Sequence, residues 1–236
     1  MQEAETLKRT REPELRRANL LAAAASLFAE NGYDGVTIDQ IIGRSGTSKG
    51  GFYHHFVSKD DLLEALASQA AGQALVGTEQ LLSAPGLSAV ERLNLFLQRG
   101  RQDTDAGRDL ATYGAIFRPE NLALYHRLHR AVTSVLVAPL AAIIEQGLHE
   151  GSMRSGHPEV TAEIVLALGP LTHDPIANLV GARSKQEFDR ALAAFRLRLV
   201  EQARAVDRIL GLPGGTVSYW DEDFAAKWTF RPAAGQ

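Results

Sequence analysis

The sequence predicts an all-α protein, in which a small N-terminal helical module is followed by a larger helical bundle. Over most of the 236 residues, apolar side chains recur at spacings of three and four, the period of a helix with one buried face. Glycine and proline interrupt these stretches, as they do between helices. The alternation of polar and apolar residues that marks a half-buried strand is found only at residues 216–220.

The composition is that of a folded globular protein. Hydrophobic residues make up 45% of the chain and the net charge is −3, which excludes a largely disordered chain. Cysteine is absent, which excludes disulfides, thiolate metal ligands and a cysteine nucleophile. There is no run of about 18 apolar residues and no apolar leader segment, so we expect a cytoplasmic protein with no membrane partner.

The N-terminal module begins with an amphipathic helix. Residues 1–12 lack apolar periodicity and are expected to form a disordered, basic arm. The helix follows Pro13 and ends at Asn31-Gly32, because glycine readily takes the left-handed conformation of a helix end. Its predicted buried face is Leu20, Leu21, Ala24, Leu27 and Phe28.

Two very short helices follow. Thr37, with Gln40 three residues later, forms a capping box that starts the first of them. Ser45-Gly46 ends this helix after barely two turns, and residues 48–55 form the next one. The module is therefore three helices with a tight turn between the second and the third.

The remaining chain is predicted to form longer helices and a tail. Apolar stretches span 87–104, 108–117, 120–148, 158–180 and 185–210. Pro139 is expected to kink the third stretch, and Pro170 and Pro175 to distort the fourth. We divide the chain into an N-terminal domain at 13–57, a C-terminal domain at 58–212 and an aromatic-rich tail at 213–236, which we expect to pack on the body or on a partner subunit.

The most informative segment is residues 37–59, which reads TIDQIIGRSGTSKGGFYHHFVSK. Two short helices joined by a glycine-containing turn form a helix-turn-helix, whose second helix enters the major groove of DNA. Ser48, Lys49, Tyr53 and His54 lie on that helix and can meet phosphate groups. Lys59 opposes the dipole of the next helix, which a phosphate shared with that helix end would explain.

Residues 17–63 resemble the DNA-binding domain of TetR-type transcriptional repressors. The segments AAASLFAENGYDGVT, from Ala23, and SKGGFYHHFVSKDDLL, from Ser48, follow that family's pattern in register. The resemblance implies contacts with operator DNA by Thr37, Ser48, Lys49, Gly50, Tyr53, His54 and Lys59. It also implies an all-α C-terminal bundle that dimerises and encloses a small-molecule pocket.

Three positions depart from the family pattern. Ile42 and Ser45 stand where a small alanine is usual, so the packing between the second and third helices is expected to shift. Gly51 follows Gly50 where Thr, Ser or Ala is usual, which costs the helix about 1 kcal/mol and removes a side chain from the recognition face. Much of the affinity is then expected to come from phosphate contacts and DNA shape.

Two further sites are predicted in the C-terminal domain. Candidates to line an effector pocket are Phe96, Tyr113, Phe117, Tyr125, His126 and His173. The same aromatic residues also fit an ordinary core. Stretches 158–180 and 185–210 are the predicted homodimer interface, with an apolar stripe of Phe188, Leu192, Phe195 and Leu199 that could equally pack inside one subunit.

Catalytic and metal sites are not predicted. Gly46 to Gly50 fits the GxSxG pattern of α/β-hydrolases, but that motif needs a strand before the serine, and a capped helix precedes Ser48. His126 and His129 lie three residues apart, whereas zinc needs at least three convergent ligands. We therefore expect no catalytic residue, no metal and no cofactor.

The sequence thus predicts a homodimeric, ligand-responsive repressor. It would bind a near-palindromic operator in double-stranded DNA and be released by a small-molecule effector of unknown identity. The alternative keeps the DNA-binding module and makes the C-terminal bundle a protein-interaction platform without an effector.

Overall fold

The computed structural model describes residues 2–82, 85–102, 114–226 and 228–230. Within these ranges the chain is helical and has no strand, which confirms the predicted all-α class. The helices are α1 (Gln2–Asn31), α2 (Ile38–Ser45), α3 (Lys49–His55), α4 (Lys59–Leu82), α5 (Ala89–Gln102), α6 (Leu122–Glu150), α7 (Pro158–Leu166), α8 (His173–Gly181), α9 (Lys185–Leu210) and α10 (Glu222–Ala226). Short 3₁₀ turns span Gly114–Phe117, Pro119–Asn121 and Gly169–Thr172.

Three stretches differ from the sequence prediction. Helix α1 already begins at Gln2, so the prediction of a disordered arm is wrong for residues 2–12; eight of these eleven residues are Glu, Arg, Gln, Lys or Ala, and Leu7 adds another residue type that favours helix without an apolar face. Residues 158–180 divide into α7 and α8 around a 3₁₀ turn that begins at Gly169 and contains Pro170, as expected from the prolines. Residues 216–220 form turns and irregular structure instead of a strand.

The N-terminal helices share one hydrophobic core. Leu20, Leu27 and Phe28 of α1 are buried against Ile41 and Phe52, as the helical spacing predicts. The same core also contains Ile116, Leu124 and Leu128, which come from the C-terminal part of the chain. The predicted boundary at residues 57 and 58 therefore does not separate two independent cores.

A second core lies at the other end of α6. It joins residues of α5, α6, α7 and the C-terminal half of α9, and its buried members include Phe96, Leu140, Ile144, Met153 and Val206. The buried Asp207 carboxylate closes this core by accepting from the backbone N–H groups of Gly215, at 2.7 Å, and Val217, at 2.9 Å. These bonds fix the chain where it leaves α9.

The aromatic tail packs on α8 and α9. Trp228 lies with its ring centroid 4.8 Å from that of Phe195, and Phe224 packs in the same cluster. Phe188, Phe195 and Leu199 are consequently buried within their own subunit. The prediction that this stripe forms the dimer interface is therefore wrong for these three residues, because the tail covers them.

Helix α6 is long and apolar enough to cross a membrane when judged by length and composition alone, with a mean hydropathy of 1.6 over its most apolar 18 residues. In the fold it is the central helix of the C-terminal part, packed against α4, α5 and α7. Leu124 and Leu128 enter the first core, whereas Leu140, Ile143 and Ile144 enter the second. These contacts place part of the apolar surface of α6 inside the two cores.

Two exposed glycines at the helix-turn-helix allow a matched stability test. A Cβ atom would meet nothing within 4 Å at either Gly46 or Gly50, but Gly46 has φ of +67° whereas Gly50 lies inside α3. We predict that Gly46→Ala lowers the free energy of unfolding by about 1 kcal/mol or more, because L-residues are strained at positive φ. Gly50→Ala should raise it by about 0.5–1 kcal/mol through helix propensity.

Urea denaturation of both variants beside the wild-type protein measures the two changes. Because the space around both positions is open, a shift of the same sign in both variants would contradict the assigned turn.

Candidate functional site

The turn between α2 and α3 is built by side chains that bind backbone groups. The backbone N–H of Thr37 donates to Gln40 Oε1 at 2.8 Å, and the Gln40 N–H donates to Thr37 Oγ1 at 3.3 Å, which completes the predicted capping box. Gly46 ends α2 in the left-handed conformation. Ser48 caps α3, since its Oγ accepts from the Gly51 N–H at 3.1 Å.

Helix α3 has one buried and one exposed side. Phe52 is fully buried, and Phe56, which caps the C-terminus, is nearly so. Burying these rings leaves the positions at i, i+1, i+4 and i+5 on the outer side of the helix. The exposed residues there are Lys49, Gly50, Tyr53 and His54, with Ser48 exposed just before them. We call this set the α3 face.

The cations around the α3 face differ in how they are held. Lys49 makes no hydrogen bond or ion pair with any residue in the described part of the chain. Arg44, at the end of α2, forms a two-fold contact with Glu30, in which each Nη lies 3.0 Å from one carboxylate oxygen. This hydrogen bond lowers the pKa of Glu30 and raises that of Arg44. Lys49 is thus the cation best placed for a phosphate.

Lys59 is directed into the fold. Its ammonium group donates to the carbonyl oxygens of Tyr33, at 2.9 Å, and Val36, at 3.0 Å, and lies 4.2 Å from the centre of the Tyr33 ring. Burial lowers the pKa of Lys59. Two of its three N–H donors thus connect the start of α4 to the loop between α1 and α2, and its contact with DNA stays a prediction.

The neighbouring Tyr33 and Asp60 complete this connection. The Tyr33 hydroxyl donates to the Asp60 carboxylate, and burial, followed by this hydrogen bond, raises the pKa of Tyr33 far above its ordinary value. The Tyr33 ring also packs on Phe28 of α1, with centroids 5.2 Å apart. The loop before α2 is therefore held in two ways: Lys59 binds its backbone carbonyls, and Asp60 and Phe28 contact the Tyr33 side chain.

In the C-terminal part, three of the predicted effector residues come together. The ring centroid of Tyr125 lies 5.5 Å from that of Phe117 and 4.6 Å from that of His173, and Phe117 lies 6.0 Å from His173. His126 is exposed beside Tyr125, and Phe96 is buried in the second core, away from these rings. Tyr113 lies outside the described residues.

Two residues that the sequence analysis did not place in this site belong to it. The His129 ring stacks on Tyr125 at 6.4 Å with an interplanar angle of 14°. Burial raises the pKa of the Tyr125 hydroxyl, and the neighbouring Thr172 side chain lowers it in part. His129 lies four residues after Tyr125 on α6, a spacing that places two side chains on the same face of a helix. We call Phe117, Tyr125, His129 and His173 the ring cluster.

Charged contacts connect the helix of the ring cluster to the N-terminal helices. Arg127 of α6 binds one carboxylate oxygen of Glu64 on α4 through Nε at 3.0 Å and Nη2 at 2.8 Å, and its Nη1 lies 3.9 Å from Asp60. Arg118 reaches Asp34 at 2.6 Å. A displacement of α6 would therefore change the ion pairs at the start of α4.

The described residues contain no group of three or more metal-ligating side chains.

Comparison with known proteins bears on the N-terminal part. Residues 20–66 match the sequence profile of the bacterial regulatory proteins of the tetR family. The family match is confined to the first four helices. It is 47% identical over 51 residues to the transposon Tn10 TetC protein of Escherichia coli, and 36% identical over 76 residues to the transcriptional repressor AcnR of Corynebacterium glutamicum. These matches cover 22% and 32% of this chain, and 26% and 38% of the relatives.

The matches to these relatives span no more than about two fifths of their length, so they concern the DNA-binding domain. The fold similarity extends further. The crystal structure of RolR in complex with resorcinol aligns with 94% of this chain and 97% of its own length, with a TM-score of 0.60 and 18% identity. This likeness shows that the C-terminal helices share the fold of that protein.

The departures from the TetR pattern have local explanations in the structure. Ser45 Oγ donates to the Ile42 carbonyl at 3.1 Å and accepts from the Thr47 N–H at 3.3 Å, so it closes the turn before α3. Ile42 is partly buried against the first core. A Cβ at Gly51 would lie 2.6 Å from Thr47 Cγ2, so the second glycine allows the turn to approach α3 closely.

The two lysines of the TetR-family domain can be separated by their effect on folding. We predict that Lys59→Ala lowers the free energy of unfolding by about 1–3 kcal/mol, because it leaves the Tyr33 and Val36 carbonyls without their charged donor. Lys49→Ala should change the stability by less than about 0.5 kcal/mol, because Lys49 is exposed and makes no hydrogen bond or ion pair with the described residues. Chemical denaturation measures both, and equal stabilities would contradict a structural role for Lys59.

Proposed function

We propose that this protein is a TetR-type transcriptional regulator without catalytic activity, which binds operator DNA in the cytoplasm as a homodimer and is released by a small-molecule effector. The proposed domains are 13–57 for DNA binding and 58–212 for effector binding and dimerisation, followed by the tail at 213–236. The observation that carries the proposal is the α3 face, on which Lys49, Tyr53 and His54 are exposed in a helix-turn-helix of the TetR family.

In the proposed complex, α3 lies in the major groove of each half-site. Lys49 neutralises a phosphate, and the Tyr53 hydroxyl and His54 ring donate from the next turn. Tyr53 is 48% exposed although its ring rests edge-on against Phe52, which fixes the direction of its hydroxyl. With Gly50 and Gly51 presenting no side chain, much of the specificity comes from the spacing of two half-sites and the shape of the DNA.

Thr37 and Ser48 have a second role in this proposal. Both are exposed, and both already use their side-chain oxygen to cap a helix. A hydroxyl that accepts from a backbone N–H retains its own proton as a donor. Ser48 therefore orders the turn in the free protein and donates to phosphate when DNA is bound, whereas the Thr37 hydroxyl donates to Gln40 Oε1 at 3.1 Å in the free protein and must exchange that partner for a phosphate.

Dimerisation is supported by apolar side chains that the subunit leaves exposed. Val160 and Ile164 lie four residues apart on α7, and each is half exposed. On α9, Leu197 is 62% exposed in an apolar groove lined also by Leu192 and Val200. A four-helix contact of α7 and α9 with their symmetry equivalents would bury all of them.

The proposed release mechanism uses the contacts of α6. An effector at the ring cluster would favour one position of α6, and the Arg127 contacts with Glu64 and Asp60 would transmit the displacement of α6 to α4. Lys59 then transmits the displacement of α4 to the loop before α2. A ligand must prefer the released state by several kcal/mol to reverse the population.

Selection from a random DNA duplex library with the purified full chain tests the DNA-binding proposal. We expect a near-palindromic site, bound with an affinity that falls steeply with salt concentration. Lys49→Ala should weaken binding to that site and reduce the slope of log K against log salt by about 1. Tyr53→Phe should weaken binding by up to about tenfold without changing the slope, because it removes a neutral donor.

Lys185→Ala serves as the control, since Lys185 is an exposed lysine at the start of α9. Its slope and affinity should match the wild type. If folded protein enriches no sequence, or if Lys49→Ala and Lys185→Ala have the same slope, the proposed DNA contact is wrong.

The proposed dimer can be tested with two leucines of equal exposure. Leu197→Asp should weaken self-association by about tenfold or more, because a dimer would bury the new carboxylate without a partner. Leu15→Asp changes a leucine on α1 that is also 62% exposed and should leave the assembly intact. Sedimentation equilibrium measures both. A wild-type monomer would instead favour the alternative, in which the exposed face of α7 and α9 serves another protein.

A further inference from the structure

One buried polar atom of the ring cluster has no partner. His173 is 6% exposed, and its Nε2 has no hydrogen-bond partner among the described residues. Its other nitrogen, Nδ1, lies 2.9 Å from Asp174 Oδ1. Buried polar groups are nearly always hydrogen-bonded, so an orphaned ring nitrogen between aromatic rings points to a group that is supplied from outside.

The Asp174 contact decides what kind of group His173 can bind. An ionised carboxylate only accepts hydrogen bonds, so Nδ1 donates to Asp174. We assign the neutral tautomer to this buried ring, in which Nε2 presents a lone pair and is an acceptor. The Asp174 side chain is 91% exposed and solvated, and it orients the buried ring. The group that Nε2 would take is therefore a hydrogen-bond donor.

The other polar atoms of the ring cluster have polar neighbours of their own. The Tyr125 hydroxyl lies beside the Thr172 side chain, and His129 Nε2 lies 3.3 Å from Thr133 Oγ1. No arginine or lysine takes part in these bonds. A ligand carboxylate or phosphate would thus meet no opposite charge in the cluster, which disfavours an anion.

The surroundings of Nε2 favour a flat ligand. Phe117 and Tyr125 present rings within 6.0 Å of the His173 ring, and Tyr125 continues the stack to His129. Gly169 allows His129 to lie against the 3₁₀ turn, because a Cβ there would lie 2.6 Å from His129 Cε1. Aromatic side chains prefer stacked or edge-to-face contacts with other aromatic rings.

We propose that the effector is a neutral aromatic molecule with a hydroxyl group, which donates to His173 Nε2 and packs against Phe117 and Tyr125. This inference rests on the proposed effector-binding function of the C-terminal domain and names its ligand class. Asp174 acts as a positioning residue, which fixes the tautomer of His173 and with it the preference for a donor.

Direct binding to the full chain tests the ligand class. Isothermal titration in the absence of DNA compares two matched pairs of probes, phenol with anisole and 2-naphthol with 2-methoxynaphthalene, which differ by methylation of the hydroxyl. We expect the hydroxyl compound of at least one pair to bind about tenfold more tightly than its ether, the value of one hydrogen bond to a buried acceptor. The anion 2-naphthoate should bind less tightly than 2-naphthol.

Two variants identify the acceptor. His173→Phe keeps a flat ring and should abolish the preference for hydroxyl over ether without weakening the ether. Asp174→Ala changes an exposed side chain, so the fold is retained, and it should also reduce the preference because either ring nitrogen can then carry the proton. Glu145→Ala, at an exposed acid in the half of α6 remote from the ring cluster, is the control and should retain the full preference.

The outcomes separate the two proposals. Equal binding of hydroxyl compounds and ethers, no binding of any hydroxyl compound, or an unchanged preference in both variants would overturn the ligand class. Binding of the selected DNA duplex, measured on the same preparations without probe, reports independently on the proposed function. If the duplex binds and the hydroxyl preference is absent, only the ligand class is wrong; if the duplex does not bind, the regulator itself is wrong.

Discussion

The ammonium group of Lys59 donates to the carbonyl oxygens of Tyr33 and Val36, and the geometry of the N-terminal helices depends on this contact. These carbonyls belong to the loop that leads from α1 to α2, where no helix partner is available for them. The Tyr33 hydroxyl fixes the same loop through Asp60. Because α2 and α3 follow from this loop, a change at the start of α4 alters the direction of the α3 face.

The C-terminal helices reach this contact by two routes. Ile116, Leu124 and Leu128 are buried in the same core as α1 and α3, so α6 cannot move without repacking that core. Arg127 adds a charged route, through Glu64 and Asp60. The N-terminal and C-terminal helices are thus coupled through a shared core and shared ion pairs. A boundary drawn at residue 57 describes the sequence motif better than it describes the packing.

The sequence was sufficient to predict the structural features that depend only on residues close together in the chain. The capping box at Thr37 and the end of α2 at Ser45-Gly46 each involve residues within three positions, so the local pattern was sufficient. It failed where distant segments meet. The stripe with Phe195 was placed at a dimer interface because periodicity shows that a face is buried but not what buries it, and here the tail does so. Local pattern also did not show that Lys59 binds two carbonyls more than twenty residues away, and its contact with DNA stays a prediction.

The same reasoning explains why the ring cluster could be predicted only in part. Phe117, Tyr125 and His173 were chosen by residue type, but the number of atoms left unsatisfied among them depends on the 3₁₀ turn that brings Thr172 and Gly169 against α6. That turn places Thr172 beside Tyr125 and Gly169 against His129, and it leaves His173 Nε2 without a hydrogen-bond partner in the described residues. Composition gives the aromatic character of such a site, whereas its polarity is decided by which single atom the fold leaves unpaired.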